Sequence, residues 1–109
     1  MKPDARIAGL ARITGLIMDQ HLAELRLKKA AQTETRGHLA ALDLQPVAED
    51  VSLAAAVQVG LRYAAWADRK KAALNLTLAR QTVAVLAAED GARLAFARNS
   101  VMEKLACKG

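Results

Sequence analysis

Apolar residues recur every three or four positions along two long stretches of the chain, which is the spacing of one face of an α-helix. Their slow drift around the first predicted helix indicates a period near 3.6 residues. In the first stretch they are Ile7, Leu10, Ile13 and Ile17, followed by Met18, Leu22 and Leu25. In the second they are Leu53, Val57, Leu61, Ala64, Leu76, Val83 and Leu86, and then Leu94, Ala97, Val101 and Leu105.

The helix breakers divide this pattern once. Pro3 suits the first turn of a helix, and Pro46 is the only interior proline. We therefore expect a first helix over about 3–42, a bend over 43–51 and a second helix over about 52–106. Either Pro46 or Ser52 can start the second helix, and the sequence leaves both open.

The predicted fold class is all-α. One bend between two long helices indicates an antiparallel two-helix coiled-coil hairpin with a longer second helix, forming a single domain over residues 1–109. Aromatic residues make up only 3% of the chain, and two helices alone bury little apolar surface. We therefore expect either a dimer, which would form a helical bundle, or a permanent protein partner.

The two predicted helices are unequal, about 60 Å and about 90 Å long at 1.5 Å per residue. A fold at Pro46 places Pro3 opposite about residue 88, which leaves residues 88–109 without a partner in the same chain. That segment still carries an apolar stripe at positions 94, 97, 101 and 105. Such a stripe is typical of a helix that fits a groove in another protein or pairs with a second copy of itself.

The formal net charge of +5 favours acidic partners: nucleic acid, an anionic membrane surface or an acidic protein. A fold at Pro46 brings Arg62 level with Lys28 and Lys29, which allows a joint basic band. A nucleic-acid-binding protein normally adds stacking aromatics, and Tyr63 and Trp66 equally suit helix packing. A solvated basic surface is the simpler interpretation. The band consists of Arg26, Lys28, Lys29, Arg62, Arg69, Lys70 and Lys71.

No catalytic constellation is present in the sequence. The only histidines, His21 and His38, have Glu24 and Glu34 nearby, but the order and spacing differ from the ligand sets of helical di-iron proteins. Nucleophile motifs, phosphate-binding glycine loops and Cys-x-x-Cys pairs are missing. The sequence therefore predicts no catalytic residue, no metal site, no cofactor and no enzymatic activity.

Compartment signals indicate a cytoplasmic protein. Cys107 is the only cysteine, so no intramolecular disulfide can form. Charged residues near the start, among them Lys2 and Arg6, interrupt any apolar signal region. The longest uncharged run, 51–61, is shorter than the roughly 20 residues needed to span a bilayer.

The stretch from Arg62 to Leu105 resembles the FliJ/YscO-like family, the small basic coiled-coil proteins of flagellar and injectisome type III export. The resemblance is carried by the aromatic pair in RYAAWADRKKAAL, the Ala/Leu helix after it and the closing ARNSVMEKLA. It implies a hairpin stalk whose terminal end enters the pore of a hexameric export ATPase, while its shaft contacts the export gate or chaperones. By resemblance the residues that meet the ATPase are Arg93, Leu94, Arg98, Val101, Lys104 and Leu105. The apolar residues of the unmatched segment add Phe96 to the predicted partner-binding residues.

The leading hypothesis is therefore a non-enzymatic accessory or stalk component of flagellar or type III protein export, cytoplasmic and peripheral to the membrane apparatus. One alternative is a small basic helical protein that binds nucleic acid. The other is a homodimeric helical bundle whose only activity is oligomerisation.

Overall fold

A computed structural model describes residues 5–44 and 52–108. It contains helix α1, Ala5–Ala41, and helix α2, Leu53–Cys107, and no strand within those residues. The helices are 37 and 55 residues long and contact each other as a hairpin, which confirms the predicted all-α fold with a longer second helix. Pro3 and Pro46, on which the predicted boundaries depended, lie outside the described residues.

Ser52 begins helix α2. Its Oγ accepts a hydrogen bond from the backbone N–H of Ala55 at 3.2 Å, and its carbonyl accepts one from Ala56 at 2.8 Å. A serine at this position satisfies one of the backbone donors that the first turn leaves unpaired. Of the two starts that the sequence allowed, the structure supports Ser52.

The end of α1 is held by α2. The N–H groups of Leu42, Asp43 and Leu44 donate to carbonyls three residues back, at 3.2, 3.1 and 3.3 Å, which tightens the last turn. The Tyr63 hydroxyl reaches the carbonyls of Leu42 at 3.2 Å and Leu44 at 2.8 Å. These carbonyls would otherwise lack a partner at the helix end, so Tyr63 acts as a tertiary cap.

The contacts divide the hairpin into two compact units, each containing a piece of both helices. We call Met1–Ala30 with Val83–Gly109 the terminal half, and Ala31–Thr82 the bend half.

In the terminal half, the residues between the helices follow a heptad pattern, alternating steps of three and four. This is the 3.5-residue repeat of a coiled coil, so the predicted period near 3.6 is wrong for the packed face. The buried or half-buried positions of α1 include Ile7, Ala11, Thr14, Met18, His21 and Leu25. Those of α2 include Val85, Ala88, Ala92, Ala95, Asn99, Met102 and Ala106. We call this set the seam.

The seam of the bend half follows the same pattern and is partly polar. Gln32, Thr35 and Ala67 are all buried in this half. The Gln32 Nε2 donates to the Thr82 Oγ1 at 3.0 Å, and the Thr82 hydroxyl donates to the Leu78 carbonyl at 2.8 Å. A buried amide is costly unless it is hydrogen-bonded, so this pair fixes the relative position of the two helices.

The register differs from the one expected. Thr14 Oγ1 donates to the Asn99 Oδ1 at 3.1 Å, and Lys29 Nζ lies 3.9 Å from the Glu89 carboxylate. The expectation that residues 88–109 lack a partner in the same chain is therefore wrong, because they pack along the first helix. The extra length of α2 lies at its other end, before Tyr63. The error came from placing the chain reversal at Pro46. Helix α2 begins only after Ser52, and its first residues, those before Tyr63, extend beyond the end of α1.

This register changes what truncation should do. A chain ending after Glu89 loses Ala92, Ala95 and Asn99, which are buried against α1. We expect the truncated chain to lose most of its helical circular dichroism signal at 222 nm, whereas a chain ending after Leu105 keeps it. A cooperatively folded chain ending at Glu89 would show that the observed pairing contributes little to stability.

Candidate functional site

The seam on α2 is built mainly from small residues, and many of the large apolar side chains of the terminal half lie outside the seam. The buried apolar residues are Ala67, Val85, Ala92 and Ala95, and no large side chain is fully buried among the described residues. A hairpin of this kind gains little from burial, since about 25 cal/mol is gained per Å² of apolar surface removed from water. On the terminal half the exposed large apolar residues include Leu10, Ile13, Ile17, Leu22, Leu94, Phe96, Val101 and Leu105.

These exposed residues fall on two sides of the seam. Ala95 is buried in the seam, and successive helical residues are separated by about 100°. Leu94 and Phe96, its two neighbours in sequence, therefore flank the seam on opposite sides. Val101 and Leu105 lie on the side of Leu94.

The first side carries what we call the Phe96 groove. It is a shallow groove lined by both helices, and its edge carries charged side chains. Glu89 lies 3.9 Å from Lys29 and 3.8 Å from Arg93, and Arg93 also lies 3.4 Å from Asp90. An apolar floor with a polar rim is the usual anatomy of a protein-binding site. The lining residues are Leu22, Leu25, Lys29, Glu89, Ala92, Arg93 and Phe96.

The opposite side carries what we call the Gly91 face. Leu10, Ile13 and Ile17 project from α1 there, and all three are 44–50% exposed. From α2 come Leu94, Val101 and Leu105, which are 47–57% exposed. Two adjoining depressions lie on this side. One is lined by Thr14, Ile17, His21, Gly91, Leu94, Ala95 and Arg98, and the other by His21, Glu24, Lys28, Ala84, Ala87, Ala88 and Gly91.

Gly91 allows the imidazole of His21 to lie against the backbone of α2. A Cβ placed on Gly91 would be 3.1 Å from the His21 Nδ1 and 3.4 Å from its Cε1. Contacts this short require the ring to move. By contrast, a Cβ on Gly37 would meet nothing within 4 Å. Of the two, Gly91 therefore serves a close approach, and Gly37 is only a weak point of its helix.

The structure divides the predicted partner-binding residues. All seven are exposed, but Arg93 and Phe96 belong to the Phe96 groove, whereas Leu94 and Arg98 line the Gly91 face beside Val101 and Leu105. Lys104 is exposed and lines neither groove. The contributions of α1 were missed, because no partner contact was predicted for Leu10, Ile13 or Ile17. The heptad of small and polar residues around Thr14 and His21 was the signal that could have corrected it.

The predicted basic band is not assembled as expected. Lys29 has Glu89 as its neighbour across the seam, and Tyr63, next to Arg62, contacts the end of α1. The expected alignment of Arg62 with Lys28 and Lys29 is therefore wrong, and the two clusters belong to different halves. The cause is again the observed register of the two helices, which differs from the one that a reversal at Pro46 predicts.

Part of the positive charge is neutralised. Lys71 Nζ lies 2.7 Å from the Asp43 carboxylate, and this hydrogen bond, with the negative charge of Asp43, raises the pKa of Lys71 above its ordinary value. Tyr63 and Trp66, the aromatics nearest the cluster, contact each other in a tilted arrangement, with ring centroids 5.7 Å apart and an angle of 42° between the ring planes. The Tyr63 hydroxyl also caps α1. This ring is thus already engaged within the chain.

Over the described ranges, no three His, Cys, Asp or Glu side chains are grouped so that they could hold a metal ion. His38 Nε2 lies 4.0 Å from Glu34 in an exposed i,i+4 pair, as the sequence suggested. Cys107 is an exposed free thiol. In the part of the chain that is described, neither helix has an apolar stretch long enough to cross a membrane.

Searches against protein-family models, curated proteins and solved structures find no match for this chain.

The two glycines provide a direct test of the His21 contact. Gly37→Ala should stabilise the chain by about 1 kcal/mol, the usual difference in helix propensity. Gly91→Ala should stabilise the chain less than Gly37→Ala or should destabilise it, because the His21 ring must shift. In a His21→Ala background, Gly91→Ala should recover part of the stabilisation that helix propensity predicts. Urea denaturation followed by circular dichroism measures the free energy of unfolding of each variant and of the unaltered chain. Equal effects of the two alanines would show that His21 does not press on Gly91.

Proposed function

We propose that this chain is a non-enzymatic interaction protein, a helical hairpin that binds another protein through its terminal half. The main support for the proposal is that large apolar side chains lie on the surface, whereas the residues between the helices include many small and polar ones. Small and polar residues occupy much of the seam, while Phe96 is 62% exposed and Leu94 is 51% exposed. Monomeric proteins rarely expose contiguous apolar patches of this kind without a use.

The Phe96 groove is the site that suits a different protein. Aromatic and arginine side chains contribute most of the binding energy at protein interfaces, and Phe96 and Arg93 stand side by side here. The groove runs between two helices and has an apolar floor, which suits the apolar face of a partner's helix. The carboxylates and cations at its edge would set the orientation of that helix rather than its affinity.

The resemblance to FliJ/YscO-like proteins suggests which partner to test. We propose an accessory or stalk role in flagellar or type III protein export, in the cytoplasm beside the membrane apparatus, with the export ATPase or the export gate as partner. The resemblance covers α2 from Arg62 to Leu105, and both Arg93 and Phe96 lie within it. Two of the residues that line the groove therefore lie in the segment that resembles this family, and both observations support the proposal.

The decisive experiment measures binding to the purified flagellar-type export ATPase of the source organism by biolayer interferometry. Phe96→Ala should weaken binding by about 30-fold or more, as expected for the loss of a central aromatic anchor. Leu86→Ala is the matched control, because Leu86 is 56% exposed on the same helix and does not line the groove. Absence of binding by the unaltered chain, or equal effects of the two variants, would refute the assignment.

Nucleic acid binding is the second candidate, and it rests on the net charge of +5. The ion pairs of Lys29 and Lys71 with Glu89 and Asp43 argue against it. We expect only weak duplex DNA binding at physiological salt, lost steeply as salt rises through counterion release. Fluorescence anisotropy at several salt concentrations checks this. Nanomolar binding that is removed by reversing Lys28, Lys29, Lys70 and Lys71 would instead favour the nucleic acid function.

A further inference from the structure

The Gly91 face is bulky at one end and shallow at the other. Towards the end of α2 its surface is formed by large side chains, Leu94 and Val101, with Ile13 and Ile17 beside them on α1. Towards the start of the terminal half, the α2 surface consists of Ala84, Ala87, Ala88 and Gly91, which line a depression. A bulky end and a shallow end can fit each other when two copies pair in opposite directions.

The amount of surface that the chain leaves uncovered is large. Its accessible surface is 8302 Å², whereas a compact folded protein of 11.6 kDa exposes about 5,800 Å². Obligate dimers bury about 2,000–5,000 Å² in total. The excess is spread over both halves of the chain, and in two copies it is of the size that such an interface requires.

We propose that a second copy of this chain covers the Gly91 face, forming an antiparallel four-helix bundle. The proposal deepens the proposed function, because it names the partner of one side of the hairpin and leaves the Phe96 groove free for another protein. It does not depend on the identity of that protein.

A two-fold axis passing near Gly91 brings the complementary ends together. Such a symmetric interface places the same patch on both subunits, so the bulky end of each copy covers the small-residue end of the other. Leu94 of one copy then lies over Ala87 of the second, and α2 packs antiparallel on its counterpart.

The same arrangement matches polar groups on α1. Gln20 and Glu24 lie on this side of α1 at the level of Gly91, and both are exposed. The two-fold axis sets Gln20 of one copy opposite Glu24 of the other, where the amide can donate to the carboxylate. Ile17 meets Leu27 of the second copy, so apolar residues on α1 also pair with apolar residues.

The first test is the association state of the full chain. Sedimentation equilibrium should give a dimer at micromolar concentration, and the thermal midpoint should rise with chain concentration. Leu94→Glu should raise the dissociation constant by about 30-fold or more, because it places a charge in the interface. Leu86→Glu, on the same helix but outside the face, should leave the dimer intact. A monomer at about 100 μM with a concentration-independent midpoint would overturn the proposal.

The second test locates the interface without destabilising it. In a Cys107→Ser background, Ala87→Cys with Leu94→Cys should form a covalent dimer on oxidation. Each single variant should not, because each residue faces the other and not itself. A disulfide within one chain is excluded, since residues seven apart on a helix are separated by about 10 Å and a disulfide requires Cα atoms within about 7 Å. Efficient cross-linking of a Phe96→Cys chain, with none at 87 and 94, would assign the dimer to the other side.

The outcomes separate the two proposals. A monomeric chain that still binds the export ATPase through Phe96 refutes the dimer alone. A dimer cross-linked at 87 and 94 that binds no ATPase refutes the export role and leaves the dimer in place.

Discussion

The close approach of the two helices is the constraint on which the rest of the structure depends. Where helices pack, the side chains at the contact set the distance between their axes, usually 8–10 Å. On α2 of the terminal half these side chains are mainly small, as at Ala88, Ala92 and Ala95. The α2 seam positions are thus largely taken by alanine, and Leu94, Phe96 and Val101 lie outside them. The exposed apolar surface is thus a direct consequence of how the hairpin closes.

The polar residues of the seam add specificity at the expense of stability. Asn99 is 5% exposed, accepts from Thr14 and also donates to Glu103 at 3.3 Å and to the Met18 Sδ at 3.6 Å. A single buried polar residue in a coiled coil disfavours other registers, because sliding the helices would leave its amide unpaired. Alanines alone would allow several registers of similar energy. The hydrogen bonds of Asn99 and Gln32 therefore select one pairing, while the small apolar seam contributes only part of the stability.

A hairpin that buries little apolar surface and exposes large apolar side chains is suited to binding other chains in an assembly. Two sides of the terminal half provide surfaces of different character. The Gly91 face carries most of the exposed large apolar residues of the terminal half, with charged residues among its lining; in the proposed dimer it forms a symmetric contact. The Phe96 groove combines an aromatic anchor with a network of Lys29, Glu89 and Arg93, which is typical of contacts that discriminate between partners. The separation of these surfaces by the seam allows both to be used together.

The register was the part of the fold that sequence reasoning could not supply. Helix propensity, the scarcity of breakers and the serine at position 52 determine two helices, their approximate limits and their unequal lengths, because these properties depend on neighbouring residues. The pairing of Thr14 with Asn99 depends on contacts between residues 85 positions apart. No rule based on neighbouring residues predicts such a contact. The assumed reversal at Pro46 therefore paired the second helix with the first in the wrong register.

The candidate site shows the same division. Its residues on α2, from Arg93 to Leu105, were identified from the exposed apolar stripe and the resemblance, but for the wrong reason, since that segment is paired with α1. Large apolar residues are normally assigned to the interior, and by that rule Leu10, Ile13 and Ile17 belonged to the packed face. The sequence alone determined that the chain is helical, basic and too poor in aromatic residues to make an ordinary core. Only the tertiary structure decided which apolar residues remain outside, because that depends on how closely the alanines let the two helices approach.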